Sequence, residues 1–222
     1  MEKIIINCKE VCKIKIISIN DDIYPQKLRT IQNPPKTLYL NGNLELLSKN
    51  TIAIIGSRNC SKNGAILASK FSYELSSLGI CIVSGLAIGI DTFAHIGSYG
   101  QIGRTIAVLG SGFNNIFPEE NIKLYKTILE NDGLIVSEYP PQIKKQSKNF
   151  VERNRIISGL SFGIVVIEAS KRSGTSITAR HARSQRRKVF ALPHEIWNKH
   201  GSRNKYINQK WGNSSHFCSR YF

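Results

Sequence analysis

The chain has 222 residues, enough for one domain of ordinary size with a substantial core, so a disulfide-stapled miniprotein is excluded. Apolar residues make up 41% and charged residues 21%, which is too hydrophobic for an intrinsically disordered chain and typical of a globular one. Lys plus Arg number 31 against 15 Asp plus Glu, and the resulting formal charge of +16 attracts polyanions: nucleic acid first, an acidic membrane surface second.

The N-terminal residues Met1 to Asn20 scatter Lys3, Lys9, Lys13 and Lys15 among isoleucines, which breaks any signal-peptide core. The longest nearly apolar stretch, Ile80 to Ile90, carries Ser84, Gly85 and Gly89 and is far shorter than the roughly 20 residues of a spanning helix. Neither secretion nor membrane integration is expected. The five cysteines, Cys8, Cys12, Cys60, Cys81 and Cys218, form no close pair or Cys/His cluster of zinc spacing, so ordinary thiols in a reducing cytoplasm are expected, with no metal site.

Residues 1–50 read as an N-terminal extension packing on a core, with a short strand at Ile14 to Ile19 and a turn-rich run through Tyr24-Pro25 and Pro34-Pro35 before Leu38-Tyr39-Leu40. From Thr51 the pattern is regular. Apolar or β-branched runs at Ile52–Ile55, Ile80–Val83, Thr105–Leu109, Leu134–Val136, Ile164–Ile167 and Val189–Leu192 read as strands. Between most of them lie amphipathic stretches at Gly64–Leu78, Asp91–Tyr99, Glu119–Asn131, Phe150–Leu160 and Ser176–Arg187. Apolar strands alternating with helices predict an α/β, doubly wound, mostly parallel sheet covered on both faces over residues 51–193.

Ligands of such sheets bind outside the carboxyl ends of the strands. Those ends are rich in Gly and Ser: Gly56 and Ser57, then Gly85 and Gly89, then Gly110 and Gly112, and finally Ser173, Gly174 and Thr175. Small residues ahead of helix N-termini are the ingredients of anion-binding loops. Known nucleotide fingerprints are missing, however. The first loop, Gly56-Ser57-Arg58-Asn59-Cys60-Ser61, is not G-x-G-x-x-G, no loop closes with the Lys-Ser/Thr of a Walker A motif, and Gly110-Ser111-Gly112 is too short for a nucleophile elbow. His95 has no partnered nucleophile and reads as a packing or capping residue.

The charge is also asymmetric. Residues 141–222 hold 17 Lys/Arg and 3 acids, against 14 and 12 in residues 1–140, so the C-terminal third carries +14 of the +16. On a helical wheel Phe150, Ile156, Ile157 and Leu160 share one face with Arg153 at its centre, while Arg155 points the other way. A guanidinium on that face has to meet a carboxylate, for which Glu168 is the expected partner, or emerge at the rim facing a phosphate. Phe150 is placed either to stack on a base or to fill the core. Arg180, Arg183 and Arg187 form a basic stripe that reads as a solvated face adjoining the rim.

In order along the chain, these motifs resemble the DNA-processing protein A family (DprA/Smf). The resemblance is carried by Tyr24-Pro25, Pro34-Pro35, Ile55-Gly56-Ser57-Arg58, Ser84-Gly85-Leu86-Ala87-Ile88-Gly89-Ile90-Asp91 and Ser137-Glu138-Tyr139-Pro140. It continues through Phe150-Val151-Glu152-Arg153-Asn154-Arg155-Ile156-Ile157, Glu168-Ala169, Ser173-Gly174-Thr175 and Ala191-Leu192-Pro193, most of residues 24–193. It implies an extended Rossmann-like fold and a non-catalytic, cofactor-free protein of natural transformation. Such a protein binds incoming single-stranded DNA as a homodimer, protects it and assists loading of a RecA-type recombinase. By motif, Arg58, Lys148, Phe150, Arg153, Asn154 and Arg155 would contact the strand. The tail 194–222 departs from the family pattern, echoing it loosely at Gly201-Ser202-Arg203-Asn204. It reads as degenerate or truncated, without the winged helix that many members carry. The rival reading is a Rossmann-like hydrolase of nucleoside monophosphates, but Thr178 stands where the catalytic Glu of that group would be.

Overall fold

The computed structural model describes residues 14–169, 174–193 and 204. Eight strands build one sheet: β1 (Lys15–Ser18), β2 (Thr37–Gly42), β3 (Thr51–Ile55), β4 (Cys81–Ser84), β5 (Thr105–Leu109), β6 (Leu134–Ser137), β7 (Gly163–Val166) and β8 (Lys188–Ala191), in the order β1-β2-β6-β5-β4-β3-β7-β8. The six strands from β3 to β8 run parallel. The segment ahead of Thr51 does more than lie against the core. Its strands β1 and β2 extend the sheet antiparallel, with Leu40 opposite Val136 across the β2–β6 ladder.

Among the described residues, six α-helical segments cover the sheet: α1 (Gln26–Arg29), α2 (Lys62–Ser77), α3 (Ile90–Gly97), α4 (Ile122–Glu130), α5 (Ser147–Leu160) and α6 (Thr175–Ser184). Alternate strand residues face opposite layers, as the pleat requires. Ala53, Ile55, Val83, Val108, Val136, Ile164 and Val166 pack with Leu28 of α1, Ile156, Ile157 and Leu160 of α5, and Ala179 and Ala182 of α6. Ile54, Ile82, Val165 and Ile167 pack instead with Ala68 and Phe71 of α2 and Ile90 and Ala94 of α3, while Leu109 and Ile135 pack with Leu124 and Ile128 of α4. The central strands are therefore apolar on both faces, which explains their continuous hydrophobic runs.

Successive strands step outward from β3 to β6, and the chain then returns to the other side of β3 with β7 and β8. That reversal leaves a crevice at the carboxyl ends of β3 and β7, where open α/β sheets place their ligands. Asn204 stabilises this end of the sheet: its Nδ2 donates to the carbonyls of Ile167 (2.7 Å) and Leu192 (3.0 Å). Among the described residues no helix is long and apolar enough to cross a membrane.

Candidate nucleic-acid interface

A cavity of about 740 Å³ opens at the crevice, within the range of about 300–1,000 Å³ typical of ligand sites. Its wall combines Gly56, Ser57, Arg58 and Asn59 from the loop after β3 with Phe150, Arg153 and Asn154 of α5. Gly174, and Thr175 and Thr178 of the following α6, complete it on one side, Phe117 and Lys145 on the other. Arg58 is exposed at the mouth, whereas Arg153 is 4% exposed at the floor. The two are close enough that the charge of Arg58 disfavours protonation of Arg153. The first turn of α6 adds the amide end of its dipole to the same positive field.

The floor is a polar knot. Arg153 Nη1 donates to the carbonyls of Gly85 (2.7 Å) and Val108, at the ends of β4 and β5. Asp91 Oδ2 accepts from the amide of Gly85 at 3.1 Å. Leu86 adopts φ 55°, an uncommon left-handed conformation for a branched aliphatic residue, as the loop wraps around the Asp91 carboxylate. Burial raises the pKa of Asp91, opposed by Arg153 and by the amides of Ala87 and Gly85. Burial also lowers Arg153 to about 10, with Asp91 opposing and Arg58 reinforcing the shift, so the guanidinium stays charged at neutral pH. Its Nε is buried and has no hydrogen-bond partner among the described residues.

Glu168 does not pair with Arg153 as expected. It is fully buried elsewhere, accepting from the amide (2.9 Å) and hydroxyl (2.5 Å) of Ser61, whose Oγ in turn accepts from Gly64 N (2.9 Å) and caps α2. The helical wheel gives the face on which Arg153 lies but not its depth along the sheet edge. That depth puts it over β4 and β5 rather than beyond β7.

The motif residues separate into two groups. Arg58, Phe150, Arg153 and Asn154 come together on the cavity wall. Lys148 is exposed on the first turn of α5 and does not line it. Arg155 is committed elsewhere: its guanidinium grips Glu138 in a two-pronged ion pair (2.6 and 2.9 Å), and its Nε donates to the carbonyl of Asn33.

The glycine-rich rim separates in the same way. Gly56, Ser57, Gly174 and Thr175 reach the main cavity, and Gly85 reaches a smaller adjoining one of about 70 Å³; Gly89, Gly110 and Gly112 reach neither, and Ser173 lies outside the described residues. Several of these glycines admit the protein's own side chains. A Cβ at Gly110 would stand 2.6 Å from the ring of Phe150, and one at Gly56 would stand 2.5 Å from Ile90.

Phe150 packs against both Gly110 and Phe117, its ring centroid 5.5 Å from that of Phe117 at 56°. Lys145 Nζ sits 4.0 Å from the centre of the Phe117 ring. Phe117 and Lys145 are wall residues that sequence reasoning missed, because both belong to irregular segments without periodicity. The Phe-Pro and Lys-Lys dipeptides at 117–118 and 144–145 were the only local signal.

His95 is fully buried and structural. Leu86 N points to its Nε2 at 3.4 Å, so Nδ1 carries the proton and donates to Thr105 Oγ1 (2.7 Å), which donates to Ile82 O (2.8 Å). Burial, reinforced by the charge of Arg153, lowers its pKa to about 3. The unfolded chain takes up this proton near pH 6.5. Between those values the unfolded state binds more protons, so this residue's contribution to stability is complete above pH 6.5. It declines by about 1.4 kcal/mol per pH unit as pH falls toward 3. An NMR titration should show one imidazole unmoved down to pH 4.5; its titration near 6.5 would contradict this environment.

From residue 15 to residue 214 the sequence matches the family described as DNA recombination-mediator protein A. This chain belongs to that family. DNA processing protein DprA of Streptococcus pneumoniae is 44% identical over 188 residues, covering 85% of this chain and 66% of that protein. Protein Smf of Escherichia coli is 42% identical over 183 residues, covering 82% and 49%. The chain thus spans about half to two thirds of these relatives.

Two solved family structures share the fold. DprA from Streptococcus pneumoniae superposes with a TM-score of 0.85 at 41% identity, over 92% of this chain and 72% of that one. DprA from Helicobacter pylori, whose structure concerns its unique single-stranded DNA binding mode, gives 0.82 at 26% identity over 93% and 94%.

Proposed function

We propose that this chain binds single-stranded DNA in the cavity at the β3–β7 crevice, without catalysis, as a DNA-processing protein that protects the strand and assists a RecA-type recombinase. The observation that carries the reading is that Arg58 and Arg153 share one cavity with Phe117 and Phe150. Cations beside aromatic faces suit a strand whose phosphates need neutralising and whose unpaired bases need a stacking surface. Family membership and the single-stranded DNA of the Helicobacter pylori relative support it. The recombinase, the homodimer and the cytoplasmic location are proposed from the resemblance.

The cavity wall argues against nucleoside monophosphate hydrolysis, since Thr178 lines it where a catalytic carboxylate would be needed. Asp91, also on the wall, is held by the amides of its own loop. Fluorescence anisotropy tests the reading. An oligo(dT) strand should bind more tightly than the matching duplex, and neutralising about three phosphates should weaken binding more than about tenfold between 50 and 200 mM salt. Equal affinity for duplex, or turnover of a nucleoside monophosphate, would overturn it.

A further inference from the structure

The opposite edge of the sheet, where the parallel strands begin, carries a second group of cations. Lys188 and Arg187 stand at the start of β8, Lys27 reaches across to β3, and Lys49 lies beside β4. Arg187 Nη2 donates to the carbonyl of Lys27 (2.9 Å). Lys27 Nζ approaches Thr51 Oγ1 (3.3 Å) and the carbonyl of Lys49 (3.4 Å), and Lys49 Nζ donates to the carbonyl of Ile102 (2.8 Å). Every partner is a carbonyl or hydroxyl oxygen. Among the described residues no carboxylate lies within ion-pair distance of these four; Asp132, beside β5, lies 3.8 Å from Arg104 instead.

Burial and the charge of Arg187 both lower the pKa of Lys27, and Arg187 Nε is buried without a hydrogen-bond partner among the described residues. Positive charge gathered this closely without a counter-ion favours an anion from outside. The ammonium of Lys27 lies 3.7 Å from the centre of the Phe162 ring, and that ring is 52% exposed just ahead of β7. From β8 to β4 the row crosses three interstrand steps, about 14 Å at about 4.8 Å each.

We infer that this edge is a second binding surface for the same single strand, on which phosphates meet Lys188, Arg187, Lys27 and Lys49 while a base stacks on Phe162. The inference rests on the single-strand reading above and extends it to strands too long for the cavity. An exposed aromatic ring set among unpaired cations is the combination that sequence-tolerant single-strand binders use. An acidic protein would be served by the cations alone.

Binding of the full chain to oligo(dT) of about six and about thirty nucleotides, spanning the site sizes of single-strand binders, tests this. The exposed variant Lys188→Gln/Phe162→Ala should bind the short strand like wild type. It should bind the long one about five- to tenfold more weakly, with its salt exponent reduced by about 0.7 for the lost cation. Lys27→Gln/Arg187→Gln should show a larger loss on the long strand, and its thermal unfolding verifies that it folds. Arg58→Ala should do the reverse, losing the short strand while retaining weak, salt-sensitive binding of the long one. Unchanged long-strand affinity in both edge variants would overturn the inference while leaving the cavity reading intact. Binding of poly-glutamate that those variants alone lose, with long-strand affinity unchanged, would overturn it in favour of an acidic protein. A wild-type protein that binds neither strand would sink the cavity reading and this surface with it.

Discussion

Replacing Arg153 with alanine should lower the unfolding free energy by about 3–5 kcal/mol, because it removes a buried guanidinium that satisfies two buried carbonyls and whose charge opposes the cost of burying Asp91. The side chain is 4% exposed, and its loss strands the carbonyls of Gly85 and Val108 while leaving Asp91 buried without its cation. Each orphaned group carries its own desolvation cost. Arg153→Lys should recover only part of the loss, because an ammonium keeps the charge but lacks the rigid planar guanidinium that aims the two N–H groups of Nη1 at both carbonyls. Urea unfolding at pH 7 measures both variants, and a loss below about 1 kcal/mol for alanine would show that the knot does not depend on the guanidinium.

The second large effect falls on binding and leaves the fold alone. Arg58 is exposed at the cavity mouth, so Arg58→Ala should change stability by less than about 0.5 kcal/mol. A lost charge-assisted contact of about 1.5–3 kcal/mol corresponds to roughly ten- to hundredfold weaker binding of oligo(dT). Together the two variants separate building the site from using it: Arg153 sets the floor, and Arg58 stands where a phosphate arrives. Wild-type affinity in a well-folded Arg58→Ala protein would remove that residue from the interface.

The parallel core was legible because a strand covered on both faces must be apolar throughout, and Thr105–Leu109 and Ile164–Ile167 say so without help from the rest of the chain. The strands at Lys15–Ser18 and Thr37–Gly42 were visible as runs but not as members of the sheet. Their place depends on β2 pairing with β6 across more than ninety residues, which local pattern cannot reveal. Arg58, Phe150 and Asn154 were found by motif, and the structure brings them to one cavity.

The partners of Arg153 were misread because burial is a property of depth as well as of helical face: at its depth the guanidinium meets the carbonyls of Gly85 and Val108, and Asp91 is near enough for its charge to be felt without an ion pair. Gly110 shows a related limit. Sequence shows that something approaches closely at Gly110, but not that the visitor is Phe150 rather than a ligand. Phe117 and Lys145 lie between elements, where neither period applies.

The central claim is that a single strand lies in the cavity between the loop after β3, α5 and the start of α6. Photocrosslinking of a six-nucleotide strand carrying 5-bromodeoxyuridine, followed by peptide mapping, tests it most directly. The account predicts adducts on the peptides that contain Phe117, Lys145 and Phe150, and their loss in Arg58→Ala. Adducts confined to peptides far from this wall, or a pattern unchanged by Arg58→Ala, would contradict it.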